Sequence, residues 1–256
     1  MKKTLYVDIP FDLEIGGDMN RSRFLWNALK EHYEASRLLV VNGNRKEKGK
    51  KSITPQDKTI TSLSKVNRLT SQSILKFSPE ELSKFKEILL QGRYDKLVFR
   101  MCSMANLAEF AAKVLPEADI IIDVDMLFSR LVNLAWNLNR SLKNRYYLIE
   151  KVKLELFENC FFRKPFLFLF TNPVERDFVL QHYKIKTRLE RYHVLPNVMM
   201  ANSTIAEPST VKQEYVLIPG SLDSSANVDA FYFFAHDIYP LIKDKVAEKK
   251  LIIRVA

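Results

Sequence analysis

Tyr215-Val216-Leu217-Ile218-Pro219-Gly220-Ser221-Leu222, then Asn227-Val228-Asp229-Ala230 with a helical stretch to about Asp244, then Leu251-Ile252-Ile253-Arg254-Val255-Ala256: these segments decide the fold. Both apolar runs are short and show no polar alternation. That pattern belongs to strands covered on both faces, as in a parallel sheet whose consecutive strands are joined by crossover helices. An apolar strand such as Leu251–Val255 wants a neighbour on each side and a crossover after it. The sequence therefore predicts one domain followed by the truncated start of a second. Immediately upstream, Met200–Gln213 (MANSTIAEPSTVKQ) has the polar composition of a domain linker. The predicted boundaries are 1–199 for the first domain, 200–213 for the linker and 214–256 for the opening of the second.

The same alternation runs through the first domain. Thr4–Ile9, Arg37–Val41, Lys96–Met101, Ala118–Val124, Phe166–Phe170 and Tyr192–Leu195 read as strands, with a weaker one around Thr59–Leu63. Met19–Tyr33 has helical spacing behind a predicted Asp18 cap. Ser78-Pro79-Glu80-Glu81 combines a serine cap, a proline at the first helical position and acids in the first turn. Asn172-Pro173-Val174-Glu175 repeats that logic. Ala105–Leu115 is a helix ended by Pro116, and Leu127–Phe162 is a long amphipathic stretch. Gly43–Asp57 is polar, lysine-rich and without periodicity, hence a loop. Strands of four to seven residues alternating with helices give an α/β fold, a Rossmann-like parallel sheet with helices on both faces.

Composition narrows the function. Hydrophobic residues make up 47% and charged residues 27% of the 256, ordinary values for a folded globular chain. The apolar run behind Met1-Lys2-Lys3 is broken by Asp8 and Pro10, too early for a signal-peptide core, and no segment has the length of a membrane-spanning helix. Cys102 and Cys160 are far apart, with no spacing for a zinc site. The expectation is a cytoplasmic protein. A net charge of +10 asks for an anionic partner: nucleic acid, lipid headgroups or a phosphorylated substrate. Only six glycines are present, and they form neither a G-x-G-x-x-G nor a Walker loop. Dinucleotide enzymes and P-loop NTPases are excluded on that ground.

The order of these pieces resembles glycosyltransferases of the GT-B fold, in particular family 4. Gly220-Ser221-Leu222, Asn227-Val228-Asp229-Ala230, Ile238-Tyr239-Pro240 and Leu251–Val255 follow one another as in the opening of that family's second domain. Pro196-Asn197 matches the dipeptide before its domain crossing, and Gly16-Gly17 its glycine loop after the first strand. Ile121-Ile122-Asp123-Val124-Asp125 resembles its acidic strand end, and Thr171 with Glu175 its Ser-x-x-x-Glu helix start. The resemblance implies two Rossmann-like domains facing each other across a cleft. It further implies transfer of a sugar from a nucleotide-diphosphate sugar to a saccharide or lipid-linked acceptor, as in surface polysaccharide synthesis, with no metal cofactor. In the family, the basic residue and the Glu-x7-Glu segment that grip the donor lie beyond the strand matched by Leu251–Val255. The expectation is that this chain alone has little or no transferase activity. The alternative is a non-catalytic binding or assembly domain that needs a partner for the donor half.

The candidate residues follow. Gly16 and Gly17 before a helix suit an anion, because glycines let backbone N–H groups approach a phosphate at a helix N-terminus; the alternative is an ordinary strand–helix turn. Asp123 and Asp125 form a D-x-D on one strand face, open to metal binding, acceptor contact or helix capping. Arg100 also stands at a carboxyl edge, where open α/β sheets bind ligands; it reads as an anion contact or a rim salt bridge. Gly220, Ser221 and Asn227 are the donor-side candidates that the resemblance implies. The four histidines form no metal set, and no nucleophile–base constellation is present. Arg45-Lys46-Glu47-Lys48-Gly49-Lys50-Lys51 is a solvated loop or a contact to an anionic membrane surface, which would make the chain membrane-peripheral. Phe161–Phe170 is a membrane wedge or, by its run length, a buried strand. No aromatic residues interleave the basic run, so no nucleic-acid partner is expected.

Overall fold

Leu5, Val7, Leu97, Phe99, Ile122 and Val124 are buried and alternate with Tyr6, Val98 and Ile121 along three adjacent strands, so both faces of the sheet are covered. The structure, a computed structural model, describes residues 2–9, 17–42, 58–63, 71, 73–138, 140, 145–197, 215–218, 225–249 and 252–255. In the first unit, β1 (Lys3–Asp8), β2 (Glu34–Asn42), β3 (Lys58–Ser62), β4 (Lys96–Arg100), β5 (Asp119–Val124), β6 (Leu167–Phe170) and β7 (Tyr192–Val194) form one sheet. Its order is β3-β2-β1-β4-β5-β6-β7, and every pair is parallel. The weak strand expected near residue 60 is β3, at the edge.

Helices join the strands on both faces. α1 (Gly17–His32) covers Tyr6 and Val98 with Leu25, Phe24, Trp26 and Leu29. The opposite face carries the larger core, to which α2 (Pro79–Gly92) contributes Phe85 and Leu89, and α3 (Ala105–Val114) contributes Leu107, Ala108 and Ala111. The predicted caps form at α2 and α6 (Pro173–His182). Ser78 Oγ accepts from the Glu81 N–H at 3.2 Å, and Asn172 Oδ1 from the Glu175 N–H at 2.9 Å. At α1 the helix already begins at Gly17, so Asp18 stands inside the first turn rather than capping it. α2 ends where Arg93 turns left-handed (φ 49°), and Gly92 is needed there because a Cβ would lie 2.1 Å from the Tyr94 ring.

The long amphipathic stretch is two helices, α4 (Phe128–Leu138) and α5 (Tyr146–Phe161), packed on each other. Phe161, Phe162, Phe166, Phe168 and Phe170 are all buried in the main core, so this run is strand and helix interior, not a membrane wedge.

The chain forms two compact units, Met1–Met200 and Ala201–Ala256. In the second, β8 (Tyr215–Ile218) pairs in parallel with β9 (Ile252–Val255). Between them α7 (Ser225–Phe233) runs through a wide turn at Phe234–Ile238 into α8 (Tyr239–Glu248). Pro240 accounts for the wide turn: it has no N–H to offer the carbonyl one turn back. The polar stretches Gly43–Asp57 and Met200–Gln213 lie outside the described residues.

Candidate functional site: a buried ionic row at the sheet's switch point

The strand order reverses between β1 and β4, and in open α/β sheets the crevice at the carboxyl ends of such strands is the ligand position. Asp8 ends β1, Arg100 ends β4, and Asp123 lies one residue from the end of β5. Each stands two residues beyond Tyr6, Val98 or Ile121, so all three share the face covered by α1. Arg100 and Asp123 are register partners. The result is a row of charges across three central strands, beneath the first turns of α1.

α1 closes the row from above. Arg21 donates from Nε to both carboxylate oxygens of Asp123 at 3.0 Å, and from Nη2 to Oδ1 at 2.5 Å. Its Nη1 reaches the Leu195 carbonyl (2.8 Å) and Asn197 Oδ1 (3.1 Å), tying in the segment after β7. One turn-neighbour along, Ser22 donates its hydroxyl to Asp8 and accepts from the Tyr6 hydroxyl at 3.2 Å. Asp8 also faces Arg37 Nη2 (3.5 Å) and Arg100 Nη1 (3.7 Å), and Arg100 Nη2 donates to Asp125 at 3.2 Å. Asp8, Arg21, Arg100 and Asp123 are all buried.

Burial raises the Asp8 carboxyl above its ordinary value, although Arg100, Ser22 and Arg37 pull it back. Burial by itself would lower Arg100. Asp8, Tyr6, Asp125 and Asp123 outweigh that and hold the guanidinium above its usual value. Tyr6 is pushed well up by burial and then by Asp8. The turn that follows Arg100 is strained: Met101 has φ 73° and ψ 141°, held by its N–H bond to the Asp123 carbonyl at 2.8 Å. Backbone in this region costs about 1–3 kcal/mol and persists where surrounding contacts impose it.

Several sequence candidates meet here. Arg100, Asp123 and Asp125 belong to one network, and Gly17 begins the helix that closes it. Arg100 is not a rim salt bridge; its side chain is fully buried. The D-x-D carboxylates serve different arginines, Asp123 with Arg21 and Asp125 with Arg100. Among the described residues no group of three or more His, Cys, Asp or Glu is placed to hold a metal ion. Asn227 lies in the first turns of α7, in the second unit. Gly16, Gly220, Ser221 and the run Arg45–Lys51 lie outside the described residues. Sequence reading missed Arg21, Ser22, Tyr6 and Arg37 as members of the row. The available signal was Asp8, a carboxylate closing an otherwise apolar strand next to the glycine loop.

A second polar assembly lies farther along the same edge. Glu158 of α5 is buried and accepts from the Ser129 N–H (3.1 Å), the Ser129 hydroxyl (2.6 Å) and the Tyr183 hydroxyl (2.7 Å). Burial raises its pKa, and the Ser129 and Tyr183 bonds only partly offset that. Above it, α4, α5 and α6 enclose an open cleft of about 710 Å³, lined by Arg130, Asn133, Lys151, Glu155, Glu175 and Phe178 among others. Phe178 forms an aromatic wall, with the Arg130 guanidinium 5.0 Å and the His182 ring 4.8 Å from its centroid. Burial also raises Glu175, against the nearby Arg130. This arrangement of amides, carboxylates and an aromatic face can hydrogen-bond and stack on a polar ligand.

No family model matches the chain, and no characterised protein matches it by sequence. Solved structures do match in shape. The apo form of the lipopolysaccharide outer core galactosyltransferase WaaB aligns over 99% of this chain and 68% of its own, with a TM-score of 0.53 at 12% identity. The UDP-GlcNAc 2-epimerase from Methanocaldococcus jannaschii aligns over 100% of this chain and 66% of its own, with a TM-score of 0.44 at 11% identity. The chain thus spans about two thirds of the length of these structures. The likeness to the galactosyltransferase establishes the fold: a Rossmann-like α/β sheet of the GT-B type.

Proposed function

We propose that this chain is the acceptor-side domain of a family 4-like glycosyltransferase, carrying the first elements of the donor domain. The reaction is transfer of a sugar from a nucleotide-diphosphate sugar to a saccharide or lipid-linked acceptor, in the synthesis of surface polysaccharide. The observation that carries this reading is the ionic row at the switch point of a GT-B-type sheet. The galactosyltransferase of similar fold acts, by its name, on the outer core of lipopolysaccharide, and the reading is of that kind. Fold alone does not carry an activity, so the assignment rests on the site.

In this reading Asp8, Arg21, Arg100 and Asp123 are positioning residues. They pin the N-terminal turns of α1, beginning at Gly17, against the carboxyl edge of the sheet. The free N–H groups of a helix start suit an anionic group of the acceptor or donor. Acceptor contacts spread from that edge towards the cleft between α4, α5 and α6. The donor side falls to Gly220, Ser221 and Asn227 and to residues beyond this chain; no metal is assigned. Calorimetry with UDP-, GDP- and dTDP-sugars, on this chain and on a version extended through the rest of the second unit, tests the division. Donor binding and transfer in the extended form alone is the expected result. Tight binding by this chain overturns the division, and no binding by either removes nucleotide sugars as substrates.

The burial of Arg100 and Asp123 favours one second reading, a non-catalytic assembly domain whose charges only build the fold. On that reading the extended form binds no nucleotide sugar, and the chain co-purifies stoichiometrically with a partner that does.

A further inference from the structure

No helix among the described residues is long and apolar enough to cross a membrane, yet α5 leaves an apolar stripe in solvent. Its inner face is ordinary: Leu154, Glu158 and Phe161 are buried. On its outer face Ile149, Val152 and Leu156 recur at helical spacing and are 62%, 54% and 65% exposed. Tyr146 and Leu148 extend the stripe at its start, and Leu131 and Leu134 of α4 are exposed as well. Scattered apolar residues on a surface need no explanation, but a stripe running along one helix does.

The charges around the stripe identify what covers it. A recess of about 320 Å³ beside Val152 and Leu156 is edged by Arg163 and Lys184, both exposed. Arg145 stands exposed immediately before Tyr146, at the start of the stripe. The acids on α5 are already engaged: Glu155 lies 3.7 Å from Lys151, Glu150 lies 3.8 Å from Lys153, and Glu158 is buried. From Phe128 to Arg188 the sequence carries twelve Lys or Arg against five Asp or Glu. A second copy seated on this face would set like charges against each other. An anionic bilayer complements both the apolar stripe and its cationic border.

We propose that the outer face of α5 docks on an anionic membrane surface, with Ile149, Val152 and Leu156 entering the headgroup boundary and Arg145, Arg163 and Lys184 meeting lipid phosphates. The proposal is independent of the transferase reading, since docking needs no donor or acceptor. Flotation of the full chain with vesicles tests it. We expect binding to vesicles of phosphatidylcholine mixed equally with phosphatidylglycerol, and about tenfold weaker binding to phosphatidylcholine alone. The double variant Ile149→Glu/Leu156→Glu should lose about tenfold or more on the mixed vesicles. Its thermal midpoint should stay near that of the parent, because both positions are exposed. If that variant folds poorly, Ile149→Ser/Leu156→Ser replaces it. Equal binding by the folded variants overturns the proposal, as does equal binding to both vesicle types. So does a loss of binding on Lys48→Gln/Lys50→Gln/Lys51→Gln with none on the α5 variants. A dimer in sedimentation that the α5 substitutions abolish, without vesicle binding, overturns it in favour of a second copy.

Discussion

The ionic row under α1 and the Glu158 assembly under α4 and α6 are both buried polar clusters on one sheet edge, but they solve the problem of buried charge differently. In the row, each carboxylate faces at least one guanidinium: Asp123 with Arg21, Asp8 with Arg37 and Arg100, Asp125 with Arg100. Glu158 is held by neutral donors alone, one backbone N–H and two hydroxyls. Paired charge commits the row to one geometry, since moving any member leaves its partner buried and uncompensated. A carboxyl group among neutral donors has a cheaper exit, because it can take up a proton. The row therefore acts as a rigid clamp on α1, while the Glu158 assembly is the pH-responsive joint of the two.

The largest test of this contrast is Arg21→Met. It leaves Asp123 buried without its bidentate partner and frees the Leu195 carbonyl and Asn197 from α1. Removal of one partner from a buried pair costs about 3–5 kcal/mol. Urea unfolding should report a loss of that size. The double variant Arg21→Met/Asp123→Leu should recover much of it, because the orphaned charge is gone. A double variant no more stable than Arg21→Met would mean that the row stabilises through geometry rather than through charge pairing.

The joint should yield less. Tyr183→Phe removes one of three donors to Glu158 and leaves the ring packed between Phe162 and His182. The expected cost is about 1–2 kcal/mol, with the Glu158 pKa moving further up as a donor to its charged form is lost. A loss as large as that of Arg21→Met would erase the distinction between the two assemblies.

The fold was largely legible because its signals are local. Ser78 and Asn172 with their following prolines and glutamates mark helix starts, and runs such as Ile120–Val124 can only be strands covered on both faces. The row was not legible, because its pairings are remote. Arg21 and Asp123 are 102 positions apart, and nothing near either announces the other. Arg100, Asp123 and Asp125 could be singled out as strand-end residues, but their mutual commitment, which makes them structural clamps, depends on the strand register. The outer stripe of α5 was hidden for another reason. That helix is apolar on two sides, so its periodicity does not say which side the core covers. The run Phe161–Phe170 drew attention to a membrane because of its composition, yet it is the more buried of the two.

Glu158→Gln gives the smallest and sharpest contrast, because it separates charge from packing. Glu158 titrates above the ordinary carboxylate value in the folded chain because it is buried. Between that ordinary value and the raised one, the folded state keeps a proton that the unfolded chain has released. The linkage then runs opposite to that of a salt-bridged acid: this group favours folding increasingly as pH falls through the raised value towards the ordinary one. Above the raised value the buried charge is a constant burden. Glutamine removes the burden and the titration together, and the Ser129 and Tyr183 hydroxyls can rotate to accept from its amide. The difference in unfolding free energy between Glu158→Gln and the parent should therefore favour the variant most above the raised value and shrink as the pH is lowered through it. A pH-independent difference at Glu158 would mean that Ser129 and Tyr183 hold its charge as securely as Arg21 holds Asp123, and the clamp and the joint would be one kind of site.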